Sequence, residues 1–164
     1  MNGPEAIPVA HTPPGGWRDH MPPPILAGCT DPLLAGAPDL RGLWQVVSVD
    51  VDGQLVEEHP VLAHVERIEQ CADRVVVTSA GIIHDMRADG TVENGVHDVM
   101  QIDFSTPVQV VATFESGVLV LRPVGLPGIE VTRWRHGDQM VWSYGGAFVA
   151  RLERIGPGPG RRRA

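Results

Sequence analysis

From residue 43 onward, apolar and polar positions alternate in short runs, the period-two signature of half-buried strands. The runs fall at residues 43–51, 64–68, 74–79, 82–87, 108–115, 118–124, 129–136, 139–144 and 147–155, with a weaker pair at 91–93 and 99–104. Between them stand Asp52-Gly53, Ser116-Gly117, His136-Gly137-Asp138 and Gly145-Gly146, residues that favour the tight turns of hairpins. A parallel sheet needs a crossover of a dozen or so residues between strands, and only residues 56–64 have room for even a short helix. The pattern therefore predicts an antiparallel meander. Such a meander removes its exposed edges by closing on itself, whereas an Ig-like sandwich, the competing arrangement, wants longer cross-sheet connections. The expected fold is all-β: a closed antiparallel up-and-down barrel of about 8–10 strands, with at most one short helix after the first.

Residues 1–38 break the alternation. They hold nine of the fifteen prolines and read as an extended or disordered leader, with Trp17, Met21, Ile25 and Leu26 as anchors through which it can lie on the barrel or act as a lid. Residues 39–155 form the predicted domain, and 156–164, with Arg161, Arg162 and Arg163, a flexible basic tail. A chain of 164 residues supports one domain with a real core.

Charge and cysteine content narrow the function classes. The net charge of −7 is concentrated in the body, which makes sequence-independent nucleic-acid binding improbable, since that needs clustered cations. All thirteen basic residues are arginine, as a GC-rich bacterial genome favours, so Schiff-base lysine chemistry and a Walker-type phosphate loop are excluded. Cys29 and Cys71 are the only cysteines, one in the leader and one in a turn, and imply neither a disulfide framework nor a Cys-rich metal site. No signal-peptide pattern and no span of about 18 apolar residues is present, which predicts a cytoplasmic protein without integral membrane association. Oligomeric state is open.

The stretch "LRGLWQVVSVDVDG" resembles the Gly-x-Trp opening of the calycins, the superfamily of lipocalins and fatty-acid-binding proteins, and "EVTRWRHGDQMVWSYGGAFVARLERI" is similar to that group's closing strands. The resemblance spans about residues 39–155 and implies a barrel that encloses a small hydrophobic or amphipathic ligand, fatty-acid-like and anionic in some members. Physically, Trp44 can plug one end, Gly42 lets neighbouring backbone approach, and an arginine of the last strand, Arg151 or Arg154, can lie on the indole. The family's carboxylate-holding Arg-x-Tyr appears here as Arg151-Leu152-Glu153, with a glutamate that would repel a carboxylate, and residues 54–63 are too few for the two-helix lid of the vertebrate proteins.

The candidate ligand-binding residues are Arg133, Trp134, Trp142, Tyr144 and Arg151, and the closure residues Gly42, Trp44 and Arg154. Arg133 resembles the second interior arginine of fatty-acid-binding proteins. If it points inward it needs an anion, supplied by a ligand or by Glu130, Glu153 or Asp103. Of seven histidines, His84 is the candidate interior acid or base because Ile82 and Met86 share its strand face. No two histidines have zincin spacing, so no metal and no cofactor is expected, although haem held by one histidine occurs in some calycin-like barrels. The alternatives to a carrier are an isomerase or cyclase acting on an apolar natural-product-like substrate, and a filled barrel acting through its surface. No nucleophile elbow or carboxylate dyad is visible, so hydrolysis is not expected.

Overall fold

A computed structural model of the chain describes residues 3–18, 20–79 and 81–156; the basic tail beyond Gly156 lies outside the described residues. Among the described residues eleven strands follow one another: β1 (Gly42–Val51), β2 (Gln54–Val56), β3 (Val65–Cys71), β4 (Arg74–Ser79), β5 (Ile82–Arg87), β6 (Val96–Val99), β7 (Pro107–Glu115), β8 (Val118–Pro123), β9 (Val131–His136), β10 (Gln139–Tyr144) and β11 (Phe148–Gly156). They pair antiparallel in the order β5-β4-β3-β1-β11-β10-β9-β8-β7-β6, with β2 a short flap on β1. Because β1 and β11 are neighbours, the meander curls back on itself. Its two ends, β5 and β6, meet without a ladder, bridged by the Arg87 N–H donating to the Asn94 carbonyl at 2.7 Å. The protein is thus an all-β, nearly closed up-and-down barrel. Among the described residues the single helical segment is a 3-10 turn at Pro4–Ala6, and residues 57–64, where a short helix had room, form turns.

Two of the expected strands differ. Residues 91–93 are a turn tied together by the Asp89 side chain, which accepts from the Thr91 N–H and the Asn94 amide. The following strand is Val96–Val99 rather than 99–104, because Asp103 turns the chain by accepting from the Ser105 and Thr106 amides, each at 2.9 Å. Gly95 fixes where this pairing begins, since a Cβ there would fall 1.9 Å from the Val110 carbonyl oxygen. In β1 a bulge between Val46 and Ser48 resets the alternation, so that Val46 and Val49 both face the core while Val47 is exposed.

The core fills one end of the barrel, where Leu40, Trp44, Ile68, Leu119, Met140 and Leu152 are fully buried. Gln70 finishes the floor by accepting from the Leu40 N–H and donating to the Pro38 carbonyl.

The leader lies on the outer face of β3, β4 and β5, where Ile7, Ala10, Trp17 and Leu26 pack with Val76 and Ile83 in a second apolar cluster. Arg74, buried and paired with Asp85 at 2.6 Å, donates to the carbonyls of Pro4, Ile7 and Pro8. Asp85 in turn accepts from the Ala10 N–H, and Glu69 from the Leu26 N–H. An irregular segment buries its backbone polar groups only when they find such partners, and here buried side chains of the sheet supply them. Cys29 and Cys71 form a disulfide that closes a 42-residue separation. This corrects the expectation drawn from their spacing: the leader, whose proline content suggested loose attachment, carries Cys29 back to the end of β3.

Candidate functional site

The closed end is built around Trp44, whose indole N–H donates to the Leu40 carbonyl at 2.8 Å. The Arg154 guanidinium lies over its ring at 4.6 Å from the centroid, and Arg135 lies at 5.6 Å. Of the two last-strand arginines, then, Arg154 meets the indole, and it also donates to the Arg41 carbonyl at 2.8 Å. Gly42 sits at φ +147°, where an added Cβ would be 2.7 Å from Arg154 Nε.

Toward the other end the interior is not filled. A cavity of about 180 Å³ is walled by Val77, Val110, Leu121, Val131 and Trp142, and opens past Tyr144, Met100 and Leu126. Two larger hollows, of about 420 and 500 Å³, are grooves outside the barrel, one on β8 to β10 and one beside the leader. The interior cavity is the one enclosed by the barrel, and the buried Glu66–Arg133 pair lines it. Among the described residues none of the leader lines it; Trp17 packs with the outer cluster instead, its backbone N–H donating to the Gly81 carbonyl at 2.9 Å.

Strand alternation decides which predicted residues reach the cavity. On β9 and β10 the pairs Arg133 with Trp142 and Val131 with Tyr144 face inward in register, and all four line the cavity. Trp134 is the immediate neighbour of Arg133 and faces outward, opposite Val141. Arg151 is also opposite Val141, on the outer face of β11, while Ala150 and Leu152 are buried inside. Neither Trp134 nor Arg151 lines the cavity, which corrects their placement as ligand-binding residues; a period of two cannot put Arg133 and Trp134, or Arg151 and Leu152, on one face.

Arg133 is buried and finds its anion on β3, not among the carboxylates expected from sequence. Its Nε donates to Glu66 Oε2 at 2.9 Å and its second nitrogen to Glu66 Oε1 at 3.2 Å. Of the others, Glu130 pairs with Arg122, Glu153 accepts from Gln139, and Asp103 caps its own turn. Glu66 is only 1% exposed and has a second partner, His64 Nε2, at 3.1 Å. Burial works to raise the Glu66 pKa, but Arg133 and His64 outweigh it and hold the carboxyl at about 2. The guanidinium also lies over the Trp142 ring at 5.0 Å, and His64 is tilted against the same indole. Phe148 adds an edge contact to Trp142 and a stacked one to Tyr144, and His59 packs edge-on to Phe148. The sequence signal for Glu66 is its position two residues before Ile68, which puts a carboxylate on the core face of β3.

His84 lines the cavity from β5 with Ile82, and its Nε2 lies 3.1 Å from the Val99 carbonyl. Burial lowers its pKa, so the ring is neutral at physiological pH and its Nε2–H is the donor to Val99. Among the described residues no cluster of three His, Cys, Asp or Glu side chains is placed to hold a metal ion.

No family model and no curated protein matches the sequence. Among solved structures the chain is similar to human cRBP IV, a cellular retinol-binding protein, with a TM-score of 0.53 and 16% identity over 71% of this chain and 98% of that one. At that identity the likeness shows the fold alone, a nearly closed antiparallel β-barrel.

Proposed function

We propose that this protein binds a small hydrophobic or amphipathic molecule inside its barrel. The observation that carries the reading is the unfilled interior: a barrel serving only as scaffold would close its core with side chains, as the Trp44 end does, whereas here apolar walls surround a space whose floor bears the buried Glu66–Arg133 pair. The retinol-binding name of the structural neighbour agrees with an apolar cargo, and the acidic body argues against a nucleic-acid partner. Native mass spectrometry of gently purified protein, followed by denaturing extraction, tests it. A stoichiometric small molecule that leaves on denaturation is the expected result. Protein that is bare, and stays bare after incubation with a panel of small apolar and amphipathic compounds, rejects the reading in favour of a ligand-free barrel.

A second reading, an isomerase or cyclase on the same barrel, draws on two imidazoles at the cavity, His64 oriented by Glu66 and His84 held neutral by burial. Under it the extracted molecule is a mixture of substrate and isomer, and His84→Gln stops interconversion while binding persists. A single unchanged compound on prolonged incubation rejects it.

A further inference from the structure

The class of molecule that fits is set by three features: the charge balance of the cavity, the unpartnered indole N–H of a tryptophan in its wall, and its size. The first concerns Arg133. An interior arginine would attract a ligand carboxylate if it waited there unpaired, because a guanidinium cannot shed its proton to escape desolvation. Here both guanidinium contacts to Glu66 are already made, at 2.9 and 3.2 Å, within the protein itself. The face of the guanidinium is covered by the Trp142 ring. An entering carboxylate would lose its hydration, gain no unpaired cation, and be repelled by the Glu66 carboxylate at the same floor.

The second feature is the Trp142 indole N–H. Trp142 is 7% exposed and lines the cavity, yet its Nε1 has no hydrogen-bond partner. A buried indole N–H normally finds an acceptor, as that of Trp44 does in the Leu40 carbonyl. Indole only donates, so the missing partner is an acceptor such as a carbonyl, ether or hydroxyl oxygen.

The third is volume. A cavity of about 180 Å³ is close to the roughly 150 Å³ that holds a benzene ring and well below the roughly 300–1,000 Å³ of drug-sized sites. A molecule of about ten heavy atoms fits, and a long acyl chain does not.

We infer that the interior site selects a compact, uncharged molecule carrying an oxygen acceptor for the Trp142 indole, and discriminates against carboxylates of the same size. This rests on the interior-binding reading above and names the chemistry of that site. The fatty-acid-like anion suggested by resemblance is the ligand class it disfavours.

Isothermal titration of the full chain at pH 7.5 with acetophenone, benzoate and ethylbenzene tests it, since the three are matched in size and differ in acceptor and charge. Acetophenone is expected to bind at least ten-fold more tightly than benzoate and several-fold more tightly than ethylbenzene. In Trp142→Phe, which removes the N–H together with part of the indole ring, acetophenone loses its preference over ethylbenzene, the comparison of the two ligands on the same variant cancelling the change in cavity size. Glu66→Gln, which leaves Arg133 without its counter-charge, raises benzoate affinity at least ten-fold. Benzoate binding as tightly as acetophenone to the unaltered protein overturns the inference while leaving interior binding intact, and this comparison decides even if Glu66→Gln does not fold. Ethylbenzene binding as tightly as acetophenone overturns the acceptor assignment. Failure of all three to bind overturns the interior site itself, and this inference with it.

Discussion

Arg133 on β9 and Glu66 on β3, 67 residues apart in sequence, meet inside the barrel through two hydrogen bonds, each side chain almost completely buried. The pair links opposite walls and forms the polar floor of the cavity. Removing one partner strands the other as an unpaired buried charge, which costs about 3–5 kcal/mol, whereas replacing both together with apolar side chains is near neutral. Arg133→Met and Glu66→Leu are each expected to lower the urea midpoint sharply, and the double variant to recover most of the loss. Additive losses in the double variant would show that the two side chains act independently.

Acid stability reports the same contact. The Glu66 pKa is about 2 in the fold against 4.5 for a free glutamate, so the folded state holds the carboxylate and its contribution is complete above pH 4.5. It is lost as pH falls through 4.5 toward 2, with a magnitude on the order of 3 kcal/mol. His84, whose pKa burial depresses below 6.5, acts in the same direction: its contribution is present above 6.5 and declines as pH falls below it. Chemical denaturation from pH 8 to pH 2 should show stability falling in that window, and Glu66→Gln should flatten the fall below pH 4.5. An unchanged slope in that variant would contradict the assignment.

The two last-strand arginines are expected to separate cleanly. Arg154→Ala removes the cation over Trp44 and the bond to the Arg41 carbonyl, a loss of about 1–2 kcal/mol. Arg151→Ala, on the outer face, changes stability by less than about 0.5 kcal/mol. Thermal melts of the two variants compare them directly, and equal losses would contradict the closure described here.

How far the sequence carried depends on what each residue's neighbours say. Alternation and turn chemistry placed Arg74–Ser79, Ile82–Arg87 and Gln139–Tyr144 with their observed ends, because apolar side chains at period two leave one register that buries them. The same alternation, applied strictly, separates Arg133 from Trp134. What it cannot supply is the partner across the barrel: Glu66 lies on a strand that never pairs with β9, and only closure brings the two together. The disulfide escaped for the same reason, since its formation depends on the path of a leader whose order comes from buried Arg74, Asp85 and Glu69 rather than from its own periodicity. Strand β6 was misplaced because its start is set by the backbone contact at Gly95, which leaves no hydrophobic signal.

The Cys29–Cys71 bond predicts a mass two daltons below that of the reduced chain under non-reducing conditions, and a stabilisation of about 2–4 kcal/mol lost in Cys29→Ser. Structural disulfides persist in oxidising compartments, which runs against the cytoplasmic expectation. Two free thiols in protein purified without reductant would contradict the bond.

The central claim, that the barrel interior is a ligand site, is tested most directly by following the indole N–H resonances of the four tryptophans by NMR while acetophenone is added. Trp142, assigned through Trp142→Phe, is predicted to shift saturably, while Trp44, bonded to the Leu40 carbonyl at the closed end, and Trp134, on the outer face, stay in place. A silent Trp142, or shifts confined to Trp134 and Trp17, would show that the molecule binds outside the barrel or not at all.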